Sequence, residues 1–261
     1  MRVKPRYIIR VFVLLVSAMI AGEWIVCIER SHAIQAESRM EKEANLQGQV
    51  QGGLFNRWTF DQQKSGEAPV GFSMLEFGEG PAADWMVKAD PEAPSASNIL
   101  TVNSSCQTET CYRVIVADGF QYEYPDMSVR MRFPVDASTA IGGVVFGVQD
   151  ARHFYAVVVD FATKTLEVSK VVKGKETSLG RSSLTPKNGP WHMLRIQRNT
   201  ILSKDFIETF FDGVLAVTVE DQSLTIGQVG LVVRGSTALG FDSVHAVPLF
   251  SHRPLSAPAA Y

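Results

Sequence analysis

Strand alternation places three charged side chains where they could share one surface. In Val129-Arg130-Met131-Arg132-Phe133 the apolar residues face one way, and Arg130 and Arg132 face the other. In Phe154–Phe161, Tyr155, Val157 and Val159 alternate with a second set that ends at Asp160. Between these segments Val145, Gly147 and Gln149 oppose Val144, Phe146 and Val148, so the first set is expected to line an open face. Two guanidinium groups and a carboxylate in one groove could orient a hydroxyl-rich ligand. The same groups on open surface would be a solvated charge cluster worth little to stability.

Catalytic strings are harder to find. Glycoside cleavage by double displacement wants two carboxyls about 5 Å apart, which a strand supplies as E-x-D-x-x-E. No such string occurs; Glu167 and Glu208 each lack an acidic partner on the same strand face. There is no G-x-S-x-G or H-E-x-x-H, and the 5 histidines are scattered. His192, after Trp191 at a strand start, reads as a packed residue. Asp150 and His153, at a hairpin entry, are the candidates for proton transfer if the chain is an enzyme. Trp85, Tyr122 and Tyr124 lie in or beside loops and are better sugar-stacking candidates than Trp58 or Trp191, with packing beneath the loop the commoner role for each. Asp61 near the first strand and Asp242 near the last could meet and contribute to a structural calcium site.

The elements that must hold these residues are short strands. Asp212-Gly213 between Phe206–Phe211 and Val214–Val219 predicts a hairpin with a primed two-residue turn. Trp191, Leu194 and Ile196 supply a packed face before it, and Val229, Leu231 and Val233 supply another after it. Strands are predicted at 99–102, 112–117, 127–133, 143–148, 154–161, 166–172, 178–184, 191–198, 206–211, 214–219, 229–234 and 238–246, with an edge strand opening the domain near Phe55–Phe60. Short strands at this spacing indicate an antiparallel sandwich or barrel.

The start of the chain is organised differently. Arg2, Lys4, Arg6 and Arg10 precede the apolar run Val11–Gly22, and a second apolar piece follows Glu23. Residues 1–33 therefore read as an N-terminal hydrophobic targeting helix, either a signal peptide cleaved after Ala33 or Ala36, or a retained anchor and the chain's one membrane contact. Residues 34–53 read as a polar spacer, 54–247 as the sandwich and 248–261 as a disordered tail. Export to the periplasm, the outer face of the membrane or the extracellular space suits a disulfide between Cys106 and Cys111. With 25 basic against 27 acidic residues, nothing argues for nucleic acid.

Taken in order, W-T-F-D at 58–61, G-F-S at 71–73, W-M-V-K-A-D-P at 85–91, G-G-V-V-F at 142–146, D-A-R-H-F-Y-A-V at 150–157, W-H-M-L-R-I at 191–196, F-D-G at 211–213 and the closing G-Q-V-G-L and F-D-S-V resemble the concanavalin A-like jelly rolls, and within them the laminin G-like domains. The resemblance covers about residues 54–247 and implies an all-β antiparallel sandwich. It extends to domains described as 3-keto-disaccharide hydrolases, which tend to carry basic or polar residues where Gly147 and Val158 stand. Three functions are expected in turn: an exported noncatalytic module binding a glycan or another envelope component; a keto-sugar hydrolase in which Arg130, Arg132 and Asp160 orient the sugar; and a structural or protein-interaction domain.

Overall fold

The computed structural model describes residues 55–106, 108, 110–134 and 140–249. The predicted targeting segment, the spacer and residues 250–261 of the tail lie outside the described residues. Fifteen strands follow in chain order: β1 (Asn56–Trp58), β2 (Phe72–Phe77), β3 (Asp84–Ala89), β4 (Asn98–Ser105), β5 (Tyr112–Ala117), β6 (Pro125–Arg132), β7 (Ile141–Asp150), β8 (His153–Asp160), β9 (Thr165–Val172), β10 (Lys175–Ser183), β11 (Trp191–Ile201), β12 (Lys204–Phe211), β13 (Val214–Glu220), β14 (Gln228–Arg234) and β15 (Ser236–Pro248). They form an eight-stranded antiparallel sheet ordered β13-β12-β11-β6-β15-β4-β3, with β1 added beside β15, and a seven-stranded one ordered β10-β9-β8-β7-β14-β5-β2.

The eight-stranded sheet buries one face, and its sequence alternates accordingly. Met127, Val129 and Met131 of β6 and Leu194 and Ile196 of β11 point into the core, against Val144, Phe146, Val157, Val159, Leu231 and Val233 of the other sheet. His192 shares that inward face, at 2% exposure. Its Nδ1 lies 2.8 Å from Asp212 Oδ2. Burial opposes the Asp212 charge, but His192 and the Lys187 and Met193 N–H groups outweigh it and hold this carboxyl below its ordinary range. The turn carrying Asp212 is the primed one expected, with φ of 50° at Asp212 and 84° at Gly213.

The central strands of the seven-stranded sheet, β5, β7, β8 and β14, are buried on both faces, which corrects one expectation. A bulge in β7 carries Gly147 at φ 59°, so Val148 turns to the same side as Val145 rather than joining Val144 and Phe146. That side is not open. Tyr112, Val114, Val145, Phe154, Ala156 and Val158 form a second apolar cluster there. Phe77 of β2 meets Phe154 of β8 at 6.0 Å between ring centroids, although four strand steps would separate them by about 19 Å in a flat sheet. The sheet therefore curls, and Tyr112 completes the closure by donating its hydroxyl to Glu176 of β10. Burial and that carboxylate push the Tyr112 phenol up to about 12.

Cys106 and Cys111 are joined by a disulfide, with Cα atoms 6.1 Å apart. Beside it the buried Arg113 binds the 77–81 segment, its Nε donating to Pro81 O at 2.7 Å.

Candidate functional site

One cross-strand row on the outer face of the eight-stranded sheet gathers the most suitable chemistry. Met86 of β3, Thr101 of β4, Gly240 of β15, Arg132 of β6 and Trp191 of β11 are successive register partners. Gly240 contributes no side chain between Thr101 and Arg132, so the row dips there. The result is a groove of about 420 Å³ floored by Ala238 and Gly240, with Lys88, Thr101 and Asn103 on one side and Arg132 on the other.

Arg132 is held from two directions. Its guanidinium carbon sits 5.3 Å from the Trp191 ring centroid, and it is ion-paired with Asp90, with Nη1 3.8 Å from Glu92 Oε2. The turn bearing these carboxylates is fixed: Glu92 N donates to Asp90 Oδ1 at 2.9 Å, and Trp191 Nε1 donates to Glu92 O at 3.0 Å. Arg132 thus presents a planar donor array with little freedom left to lose on binding. Across the floor, Lys88 and Asn103 are exposed and make no side-chain hydrogen bond or ion pair with another described residue. A fixed guanidinium, an amide and an ammonium around a floor of Gly240 and Ala238 can take a pyranose ring with its hydroxyls paired, while the partly exposed Trp191 indole backs Arg132 from the next strand.

The predicted residues divide around this groove. Arg132 lines it, and Arg130 is exposed on the same sheet face, register partner of Met193. Asp160 does not join them: β8 belongs to the seven-stranded sheet, and Asp160 Oδ1 accepts from Ala162 N at 3.0 Å and Thr163 N at 3.1 Å as a turn cap. Alternation gives a residue's side within its own sheet but not which sheet the strand enters. Trp85 is 3% exposed and stacks on Phe241 in the core. Tyr122 is also buried, its hydroxyl donating to Ala246 O. Tyr124 is half-buried, its ring centroid 5.6 Å from the Arg198 guanidinium carbon. Asp150 and His153 do pair, with His153 Nδ1 2.9 Å from Asp150 Oδ1, but at the β7–β8 turn of the other sheet. There the Arg152 N–H and then His153 hold the Asp150 carboxyl below its ordinary range, as befits a turn cap.

Trp191 lies opposite to the packed face expected of it. Its neighbours His192, Leu194 and Ile196 point inward, so strict alternation puts Trp191 outward with Met193 and Arg195.

Asp61 and Asp242 both reach the 95–98 segment. Asp242 accepts from Ser95 N at 2.7 Å and Ser95 Oγ at 2.8 Å, and Asp61 accepts from Asn98 N at 3.0 Å. No third His, Cys, Asp or Glu joins them among the described residues. Burial, with the Asp61 charge nearby, raises the Asp242 pKa. The folded state therefore holds this proton after the unfolded chain has lost it, and the group's contribution to stability falls as pH climbs from about 4 through the raised value. Asp242→Asn should flatten that fall, read as the difference between urea midpoints of the two proteins across acidic to neutral pH. Parallel pH profiles would contradict it.

No protein-family model matches the chain, and no curated protein is similar to it in sequence. Solved structures are similar in fold. The carbohydrate-binding module CBM66 from Bacillus subtilis superimposes with a TM-score of 0.51 at 14% identity, covering 67% of this chain and 93% of that one. A Bacillus subtilis protein of unknown function with a galectin-like fold gives 0.44 at 10% identity, covering 68% and 90%. The carbohydrate recognition domain of Emp47p gives 0.43 at 8% identity, covering 72% and 92%. At 14% identity the likeness to the first of these shows the fold alone, an all-β sandwich of the kind a carbohydrate-binding module uses.

Proposed function

We propose that this chain is an exported, noncatalytic carbohydrate-binding module whose ligand lies in the groove between Arg132 and Asn103. The observation that carries the reading is the row Trp191, Arg132, Gly240, Thr101, in which a guanidinium braced by an indole stands beside a shallow floor of Gly240 and Ala238. The fold shared with the Bacillus subtilis module supports it. Export is supported by the Cys106–Cys111 disulfide, a bond that persists outside reducing compartments.

A glycan array probed with the purified protein, followed by titration calorimetry on the best hit, tests the reading. Saturable binding is expected, weakened about tenfold in Trp191→Ala, which removes the surface that aligns Arg132. A blank array from folded protein, or hits indifferent to Trp191→Ala, would overturn the assignment.

A further inference from the structure

The two ends of the sandwich differ in character. Strand directions place the end of β6 at Arg132, the start of β11 at Trp191, the β12–β13 turn and the disulfide at one end, with the groove. The opposite end collects the start of β1, the approach to β2, the β7–β8, β9–β10 and β11–β12 turns, and the 221–227 connection. Five exposed large apolar side chains gather at that second end: Phe55, Val70, Ile201, Leu202 and Ile226. Val214 and Leu215 lie at the groove end, and Met74 lies within edge strand β2.

The β11–β12 turn is the sharpest anomaly. Leu202 and Ser203 both take positive φ, 50° and 66°, the primed geometry that Asn and Gly adopt at least cost. Asp212-Gly213 at the other end obeys that preference. Leu202 does not, and it is 93% exposed beside the exposed Ile201. In water this tip combines an unfavourable backbone with an unfavourable surface. Both choices make sense if the tip leaves water.

We propose that this end of the sandwich rests on a lipid bilayer, with Ile201 and Leu202 inserted among the acyl chains and the groove facing away. A bilayer fits better than a protein partner because the apolar groups stand on four separate segments, the entries to β1 and β2, the β11–β12 turn and the 221–227 connection, and a fluid apolar phase needs no matching shape. Described charges at this end offset one another: Arg152, Lys173, Lys175 and Lys204 stand against Asp118, Glu123, Asp150 and Glu220, with Lys204 and Glu220 paired at 3.0 Å. Insertion rather than electrostatic attraction is therefore the contact, and salt should leave it unchanged. The chain also enters β1 at this end, coming from the part of the sequence that holds the apolar run 11–22.

The test uses the full chain with Cys27→Ser and one added cysteine, Leu202→Cys or Val214→Cys, carrying an environment-sensitive fluorophore. The protein is mixed with vesicles of phosphatidylcholine and phosphatidylglycerol. At position 202 a blue shift and quenching by acyl-chain spin labels are expected at low and high salt alike, with neither at 214. With the fluorophore moved to Ile226→Cys, Leu202→Asp should cut the quenched fraction about tenfold, while Ser203→Gly leaves it intact. Failure to bind vesicles, a water-exposed probe at 202, or equal quenching at 202 and 214 would each overturn the proposal.

Discussion

Gly240→Leu is expected to abolish glycan binding, by about a hundredfold or more, while costing about 1–3 kcal/mol of unfolding free energy, too little to unfold the sandwich. The position can accept a side chain. A Cβ there would meet Cδ1 of the buried Ile99 at 3.2 Å, so that methyl must give by a few tenths of an ångström, and would meet Arg132 Cβ and Nε at 3.6 and 3.9 Å. Its φ is not in the left-handed region, so no backbone strain follows. A strand glycine replaced by a larger residue also loses less conformational freedom on folding. The added isobutyl group must occupy the floor between Thr101 and Arg132, where the sugar ring would sit. Calorimetry on the array hit measures the loss, and a urea midpoint on the same preparation reports the fold. Full affinity in Gly240→Leu would place the ligand elsewhere; lost affinity with a collapsed midpoint would show that the glycine serves packing instead.

Much of the sandwich was legible because its signals are local. Turn dipeptides such as Asp212-Gly213 and the alternation in β6, β11 and β12 need no knowledge of distant neighbours. β2 and β3 were missed for a related reason: Phe72–Phe77 is an edge strand with a weak burial pattern, and Asp84–Ala89 sits among glycine and proline turns. The site divides along the same line. Arg132 could be read as outward-facing, and Trp191 could have been by the same rule. Grouping Asp160 with Arg132 assumed that β6 and β8 share a sheet; they do not, and only the long-range strand order decides it. Nor did the sequence reveal that the seven-stranded sheet curls until Phe77 meets Phe154, filling the face expected to be open.

Asp205→Ala is expected to cost about 3–5 kcal/mol of stability, the penalty for leaving a buried charge without its partner. Arg198 is 1% exposed at the sandwich end opposite the groove, with its guanidinium carbon 5.6 Å from the ring centroids of both Tyr124 and Tyr155. Its Nη2 donates to Asp205 Oδ2 at 2.8 Å and its Nη1 to Thr225 O at 3.0 Å. Removing the carboxylate strands a cation that water cannot readily reach. Removing both charges is milder, so Arg198→Met combined with Asp205→Ala should recover most of the loss. Urea unfolding at unchanged slope measures each term. A cost near the roughly 0–1 kcal/mol of an exposed pair would mean that the guanidinium is solvated after all. The effect should also be local: because Arg198 braces Thr225, amide exchange in the 221–227 connection should quicken in Asp205→Ala well before exchange around Arg132 does, separating the stability of the apolar end from that of the groove.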